Sequence, residues 1–179
     1  INPEFAAAYN AVGYAQRNHG NLDDARQAFS RYVELIPGEA NPYDSYAELL
    51  LEMGEYDESI ENYRKAIEID PNFISAYAGI TIGQSLKGNA EAAQAAATEM
   101  LAAARNSGQK QAAWFRSVTS HLFAGDLAAA LEVSEQRLAA AAADDNHITM
   151  GNIREYMGDM VSVSGEGGKA LELYASALE

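Results

Sequence analysis

The sequence predicts an all-α solenoid built from antiparallel helix pairs. Two spacings and one recurring frame predict it. Pro3, Pro37 and Pro71 stand 34 residues apart, as do Gly20, Gly54 and Gly88. The frame Ile1-Asn2-Pro3-Glu4-Phe5 returns as Ile69-Asp70-Pro71-Asn72-Phe73. A fixed period of this length marks stacked two-helix units, each unable to bury its apolar face alone.

The first pair, residues 6–39, runs as a helix from Phe5 to Asn18, a turn at His19-Gly20-Asn21 and a helix from Leu22 to Leu35. Tyr9, Val12 and Gly13 in one helix and Ala25, Phe29 and Tyr32 in the next recur every three or four residues, which places them on facing stripes. A Gly after the first helix takes the left-handed conformation that ends it, and the Asn or Asp that follows can start the next. Pro37 and Pro71 lack the amide hydrogen that a continuing helix requires, so each second helix stops before them.

The second pair, 40–73, repeats the pattern with Tyr43, Tyr46, Ala47, Gly54, Tyr56, Ser59, Tyr63, Ala66 and Pro71. The third, 74–107, keeps Tyr77, Ile80, Gly88 and Ala93 but has Ala97 in place of the aromatic and Arg105 in place of the proline. The fourth, 111–144, follows a three-residue insertion and keeps Trp114, Gly125, Leu127, Ala130 and Leu138, with Asp126 to Leu131 as a second-helix start. The last stretch, 145–179, is irregular and retains Gly165, Ala170, Tyr174 and Ala177. The runs Ala92–Ala97 and Ala139–Ala143 read as closely packed helix, because Ala is the strongest helix former. The expectation is one domain over 1–179 of about ten helices, with residues 1–5 the tail of an upstream repeat.

These residues resemble the tetratricopeptide repeat (TPR) family, whose unit places a large residue, an aliphatic, a small residue, a turn Gly, Ala, an aromatic, Ala and Pro at set offsets. The resemblance implies a right-handed superhelix whose first helices line a concave face. It implies a binding surface at Asn10, Tyr14, Arg17 and Asn18 of the first pair, and Asn41, Asp44, Ser45, Glu48 and Leu51 of the second. Ile82 and Leu86 follow on the third pair, and Phe115, Thr119, Leu122 and Phe123 on the fourth. That face is polar and acidic at one end and apolar at the other. Family members that hold the C-terminal carboxylate of heat-shock chaperones use Lys, Asn and Arg at places where this chain has Ala7, Ala11, Ser45, Ser75 and Gly79. The carboxylate clamp is absent, and Arg116 alone does not replace it.

Charge narrows the choice of partner. Twenty-six acidic residues against 12 basic ones leave a net charge of -14, which disfavours a phosphate-neutralising nucleic-acid surface. Asp and Glu outnumber Lys and Arg by 14 to 5 over residues 1–73 and by 7 to 2 over 144–179, while 74–143 hold five of each. No apolar run approaches the roughly 20 residues that span a bilayer. With no cysteine in the chain, disulfides, thiolate nucleophiles and Cys-based zinc sites are excluded, and the compartment stays open.

Catalytic constellations are not visible. His19, His121 and His147 fall in different units and share no metal-ligand spacing. Asp23-Asp24 and Glu55, Asp57 and Glu58 stand at second-helix starts, where the helix dipole favours carboxylates. Gly165-Glu166-Gly167-Gly168 lacks the Lys-Ser/Thr and the preceding strand of a phosphate-binding loop, so it reads as a turn. No catalytic residue, metal site or cofactor is expected.

The preferred functional expectation is a non-catalytic scaffold that binds a protein or peptide segment. Apolar anchors of that segment would meet Ile82, Phe115 and Leu122, and a basic flank would meet Asp44 and Glu48. Two alternatives stand beside it: a regulatory or structural arm of a larger enzyme or of a secretion or assembly protein, and a small-molecule sensor around Phe115 and Phe123. The apolar strip has a competing structural explanation. A last helix carrying Ile148, Ile153, Tyr156, Met157 and Met160 would cover it.

Overall fold

The computed structural model describes residues 5–178, and of the expected upstream-repeat tail, residues 1–5, the first four lie outside them. Ten helices follow one another among the described residues: α1 Ala6–Asn18, α2 Leu22–Leu35, α3 Ala40–Glu52, α4 Tyr56–Ile69, α5 Ile74–Leu86, α6 Ala90–Ala103, α7 Ser107–Phe123, α8 Leu127–Ala143, α9 His147–Val163 and α10 Gly167–Ala177. They form five helix pairs, and the fold class is the all-α helical repeat that the period predicts. The chain falls into two compact units, the first ending at Ala113 and the second beginning at Trp114, within α7.

Each pair turns at a glycine in the left-handed region. Gly20, Gly54, Gly88, Gly125 and Gly165 have φ between +75° and +90°. There the amide of the next residue reaches back to a free carbonyl: Asn21 to Gln16, Glu55 to Leu50 and Asn89 to Gln84, each at 2.9 Å. The turn after α8 makes the same bond, from Asn146 to Ala141 at 3.0 Å, with Asp145 at φ +52° in the glycine's place. Asp and Asn are the residues that tolerate this conformation best after Gly.

The residue after the turn caps the next helix in some pairs only. Asp126 accepts from the Ala129 amide and Asn146 from the Thr149 amide, each at 3.0 Å. Asn21 and Asn89 make no such bond and instead donate to Gln16 and Gln84, at 2.8 and 3.0 Å. The side-chain amide of the preceding helix outcompetes the backbone there.

The insertions lengthen helices rather than loops. α7, α8 and α9 have 17 residues each, against 13 for α1, α3 and α5 and 14 for α2, α4 and α6. About one extra turn of helix absorbs what would otherwise be a looped insertion. The last pair, irregular by sequence, keeps the packing register of the others: Gly165 makes the turn and Tyr174 packs on Gly158.

In the first unit, the core groups Ala25, Phe29, Tyr32 and Leu49, then Ile60, Tyr63, Ala66, Ala76, Ile80 and Ala96, then Tyr77, Met100 and Ala113. Phe29 and Leu49 are fully buried, each contributing about 1.5–3 kcal/mol by leaving water. In the second unit, Val118, Ala130, Ile153, Met157 and Met160 form the centre, with Leu131, Leu138 and Leu173 packed around it.

Helix approach is set by missing Cβ atoms. A Cβ on Gly13 would lie 2.6 Å from the Phe29 ring, one on Gly79 would lie 2.2 Å from Tyr63, and one on Gly158 would lie 2.6 Å from Tyr174. Gly79→Ala therefore forces the Tyr63 ring to move and is expected to lower stability by about 1–3 kcal/mol in urea unfolding. In a Tyr63→Ala background the same change loses its cost; an equal loss in both backgrounds would reject the ring contact as the cause.

Candidate functional site

In the first unit, α1, α3 and α5 lie side by side, and their shared face carries a polar network. The Tyr14 hydroxyl donates to Glu48 Oε2 at 3.1 Å and approaches Ser45 Oγ at 3.2 Å. The Tyr14 ring stands edge-on to Phe29 with centroids 5.1 Å apart, which fixes the hydroxyl over α3. Arg17 pairs with Glu48 Oε1 at 3.0 Å and its Nε donates to Glu52. Ser75 on α5 donates to Asp44 Oδ1 at 3.1 Å. Asn10 lies on α1 with its Oδ1 buried and unpartnered. Leu51 and Ile82 are half-buried, and Leu86 at the end of α5 is exposed.

Tyr14, Arg17 and Glu48 are thus brought together, and Asp44 is tied to the neighbouring pair. Asn41 turns elsewhere, donating to Tyr32 on α2 at 3.1 Å. Glu52 and Ser75 were not singled out by sequence. The period itself points to them, since Arg17 and Glu52 are 35 residues apart, and Asp44 and Ser75 are 31 apart. The wall carries less free negative charge than its composition suggests, because Arg17 offsets one of the two charges of Glu48 and Glu52. Asp44 titrates above the usual carboxylate range but keeps its charge at neutral pH: desolvation pushes its pKa up to about 6, against the Ser75 hydrogen bond, with Glu48 adding to the rise. Burial also raises the Tyr63 phenol behind it, with Asp44 and Glu48 reinforcing the shift.

In the second unit, α9 packs on α7. Ile153, Met157 and Met160 are buried, and Tyr156 meets Phe115 with ring centroids 6.0 Å apart. The Arg116 guanidinium stands 6.0 Å from the Phe115 centroid. Thr119 donates back to the Arg116 carbonyl at 3.0 Å, so its hydroxyl is occupied within the helix. The helix 147–163 therefore encloses part of the apolar strip, while Ile148 at its start stays exposed.

What α9 leaves open is a cleft of about 400 Å³ beside the Gly125 turn, lined by Leu122, Leu127, Tyr156, Met160 and Val163, with Asp159 at its edge. Phe123 and Val163 are 74% and 91% exposed. Leu127, Val163 and Asp159 were missed by sequence because they sit at helix ends, where periodicity says least. Asp159 accepts from the Tyr174 hydroxyl at 2.7 Å, which anchors it.

Among the described residues, no group of three or more His, Asp or Glu side chains is placed to hold a metal ion. His19 caps α1, His121 lies in α7, and His147 stands 3.1 Å from Asp145 with both side chains exposed. No helix of the described residues is long and apolar enough to cross a membrane.

A family model for the TPR repeat matches residues 47–80. Solved structures with similar folds include a MamA protein, 17% identical with a TM-score of 0.68 over 97% of this chain and 90% of that one. A putative kinesin light chain from Podosopora anserina, described as nearly identical TPR-like repeats, is 14% identical with a TM-score of 0.75 over 99% and 95%. PilW, described as a widely conserved type IV pilus biogenesis factor, is 18% identical with a TM-score of 0.73 over 97% and 77%. No curated protein matches the sequence. At these identities the structural likeness is one of fold, an all-α helical repeat, and the family match is to the one TPR repeat at residues 47–80.

The raised Asp44 pKa has a defined consequence for stability. Between the ordinary carboxylate value of 3.8 and about 6, the folded state holds a proton that the unfolded state has lost, so stability falls as pH rises through that window. Asp44→Asn removes this dependence. Its stability relative to the parent is expected to increase by on the order of 1–2 kcal/mol between about pH 4 and pH 7.5, after allowance for a carboxylate still partly in water. Urea unfolding at the two pH values checks this, and a pH-independent difference would contradict the assignment.

Proposed function

We propose that this tetratricopeptide-repeat protein is a protein-interaction scaffold, and that the cleft beside the Gly125 turn takes an apolar side chain of a bound peptide or protein segment. The observation that carries the reading is the open cleft of about 400 Å³ bordered by Leu122, Tyr156, Met160 and the exposed Val163, with Phe123, next in sequence to Leu122, exposed at the end of α7. Apolar side chains clustered around a concavity supply the desolvated centre that dominates binding energy at interfaces. Methionine in the wall lets it adapt to differently shaped anchors.

Asp159 gives the site a polarity. It stands at the cleft edge, is oriented by Tyr174, and belongs to the acidic stretch 144–179. A Lys or Arg flanking the anchor is the complementary choice, contributing mainly orientation and association rate. In the first unit, Tyr14, Asp44 and Glu48 form a second, polar surface suited to a peptide backbone rather than to a strongly basic flank. The open side of the cleft favours an extended partner over a small molecule, whose sites enclose most of the ligand surface.

Partners captured from the source organism provide the test, with affinity then measured by titration calorimetry on the purified partner segment. Phe123→Ala and Val163→Asp change exposed side chains and are expected to leave thermal unfolding unchanged while weakening capture about tenfold or more, the usual effect of losing a central anchor. Unchanged affinity in both variants would reject the cleft as the binding site.

A further inference from the structure

A trough of about 330 Å³ lies wholly within the first unit, between α4 and α6, both of which pack on α5. Ile80 and Gln84 of α5 form its floor, with Ile67 on one wall and Ala92, Ala95 and Ala96 on the other. The 34-residue register explains why space opens there. One repeat earlier, the positions of the three alanines hold Glu58, Glu61 and Asn62, and those of Ile80 and Gln84 hold Tyr46 and Leu50. Asn62 is 6% exposed and Leu50 is fully buried, so the preceding repeat fills the corresponding positions. In the third pair the α6 wall is lowered by three long side chains, and a phenol ring is missing from the floor.

The polar groups of the trough are left without partners. Gln84 is 8% exposed, in the place of a leucine. Its Oε1 accepts from the Asn89 side chain at 3.0 Å, which holds the amide and leaves its hydrogens with no acceptor among the described residues. A donor held at an apolar floor is a costly replacement for leucine unless an acceptor meets it. Arg64 stands in the register of Ser30. It makes no ion pair or hydrogen bond among the described residues, although Glu61 and Glu68 stand one turn away on either side. Helical side chains lean toward the N-terminus of their own helix, and α4 and α5 run in opposite directions, so Arg64 and Gln84 lean toward each other along the trough. Glu68 and Glu99 line the same trough and have no ion-pair partner among the described residues. Glu99 replaces Lys65, which pairs with Glu61 at 3.0 Å in the preceding repeat.

We propose that the trough takes the C-terminal residue of a partner protein, its aliphatic side chain resting on Ile67, Ile80 and Ala96 and its free carboxylate received by Arg64 and the Gln84 amide. An aliphatic group alone leaves both donors unused, and an anion alone leaves the apolar floor wet. A chain end with an aliphatic last residue supplies both. Hydrogen bonds from a guanidinium to a carboxylate are among the strongest available to either group. Glu68 and Glu99 stand beside the path of the residues that precede the terminus, which favours Lys or Arg there. The trough is open to solvent, so the chain leading to the terminus can leave it, whereas a site for a free amino acid encloses most of its ligand. None of these residues belongs to the cleft at the Gly125 turn, and the two sites stand or fall separately.

Fluorescence anisotropy tests this with a short synthetic peptide, labelled at its N-terminus and ending in a pair of lysines and a leucine. The free-acid peptide is expected to bind the parent chain saturably, and its amidated form about tenfold more weakly or worse, the loss of charge-assisted hydrogen bonds. Gln84→Leu and Ala96→Asn introduce the side chains that Leu50 and Asn62 place one repeat earlier, so the fold tolerates them. Each is expected to weaken the free-acid peptide about tenfold while thermal unfolding stays cooperative. Arg64→Glu has the same effect from an exposed position, and Phe123→Ala has none. A parent chain that does not bind the free-acid peptide, or an Arg64→Glu chain that binds it at parental affinity, overturns the proposal. An amidated peptide that binds equally overturns it in favour of an internal segment, and free leucine that displaces the peptide at equal concentration does so in favour of an amino acid.

Discussion

Close approach between a second-helix aromatic and a glycine with no Cβ is the constraint on which the packing of these pairs depends. Phe29 lies on Gly13, Tyr63 on Gly79 and Tyr174 on Gly158. Each ring occupies the space where a Cβ would stand, and only the missing Cβ lets it approach the neighbouring backbone so closely. The remaining pairs solve the problem from the other side. There the aromatic gives way to Ala97 and Ser134, and the first helix carries the larger, buried Thr81 and Val118 in the register of Gly13. Volume is exchanged between the two helices while the separation is kept.

That exchange explains how much of the fold was legible in the sequence. The 34-residue spacing of Gly20, Gly54 and Gly88 located the turns, because a left-handed residue at the end of each first helix is a strict backbone demand. Tyr174 and Gly165 identified the last pair as a remnant, but its register depended on Gly158, which lies in a helix with no sequence sign of special conformation. Its role comes from what packs above it, and a contact between residues 158 and 174 is not encoded in either helix alone. The lengthened α7, α8 and α9 were equally hidden, since Ala-rich sequence is compatible with helix of any length.

The polar wall was legible in its members and not in its pairings. Tyr14, Arg17, Asp44 and Glu48 share a face by periodicity alone. Their mutual neutralisation depends on α1 and α3 being close enough for Arg17 to reach both Glu48 and Glu52. Similar links recur: Arg26 meets Glu55 and Glu58 between the same two pairs, and Lys87 meets Asp57 between the second and third. Exposed pairs of this sort add little individually, but they place cations of one pair against acids of a neighbouring one. Much of the acidic composition of the first unit is thus spent on registering adjacent pairs, and less remains for a ligand than net charge implies.

The second unit joins its helix pairs differently, and this bears on where a ligand binds. Met150, Met157 and Met160, together with Leu122 and Leu127, do between α7, α8 and α9 what ion pairs do in the first unit. Apolar side chains that join helices do not exhaust themselves in a one-to-one match, so the layer ends in a cleft where the packing runs out at the turn. The extra helical residues of α7 and α9 enter at their N-terminal ends, away from the Gly125 turn, and so leave the register at that turn intact. The cleft is accordingly a product of side-chain choice. Small residues at Gly125 and Ser164 stand among the larger Leu122, Tyr156 and Met160, and the space between them is left for an apolar group that the pair itself does not supply.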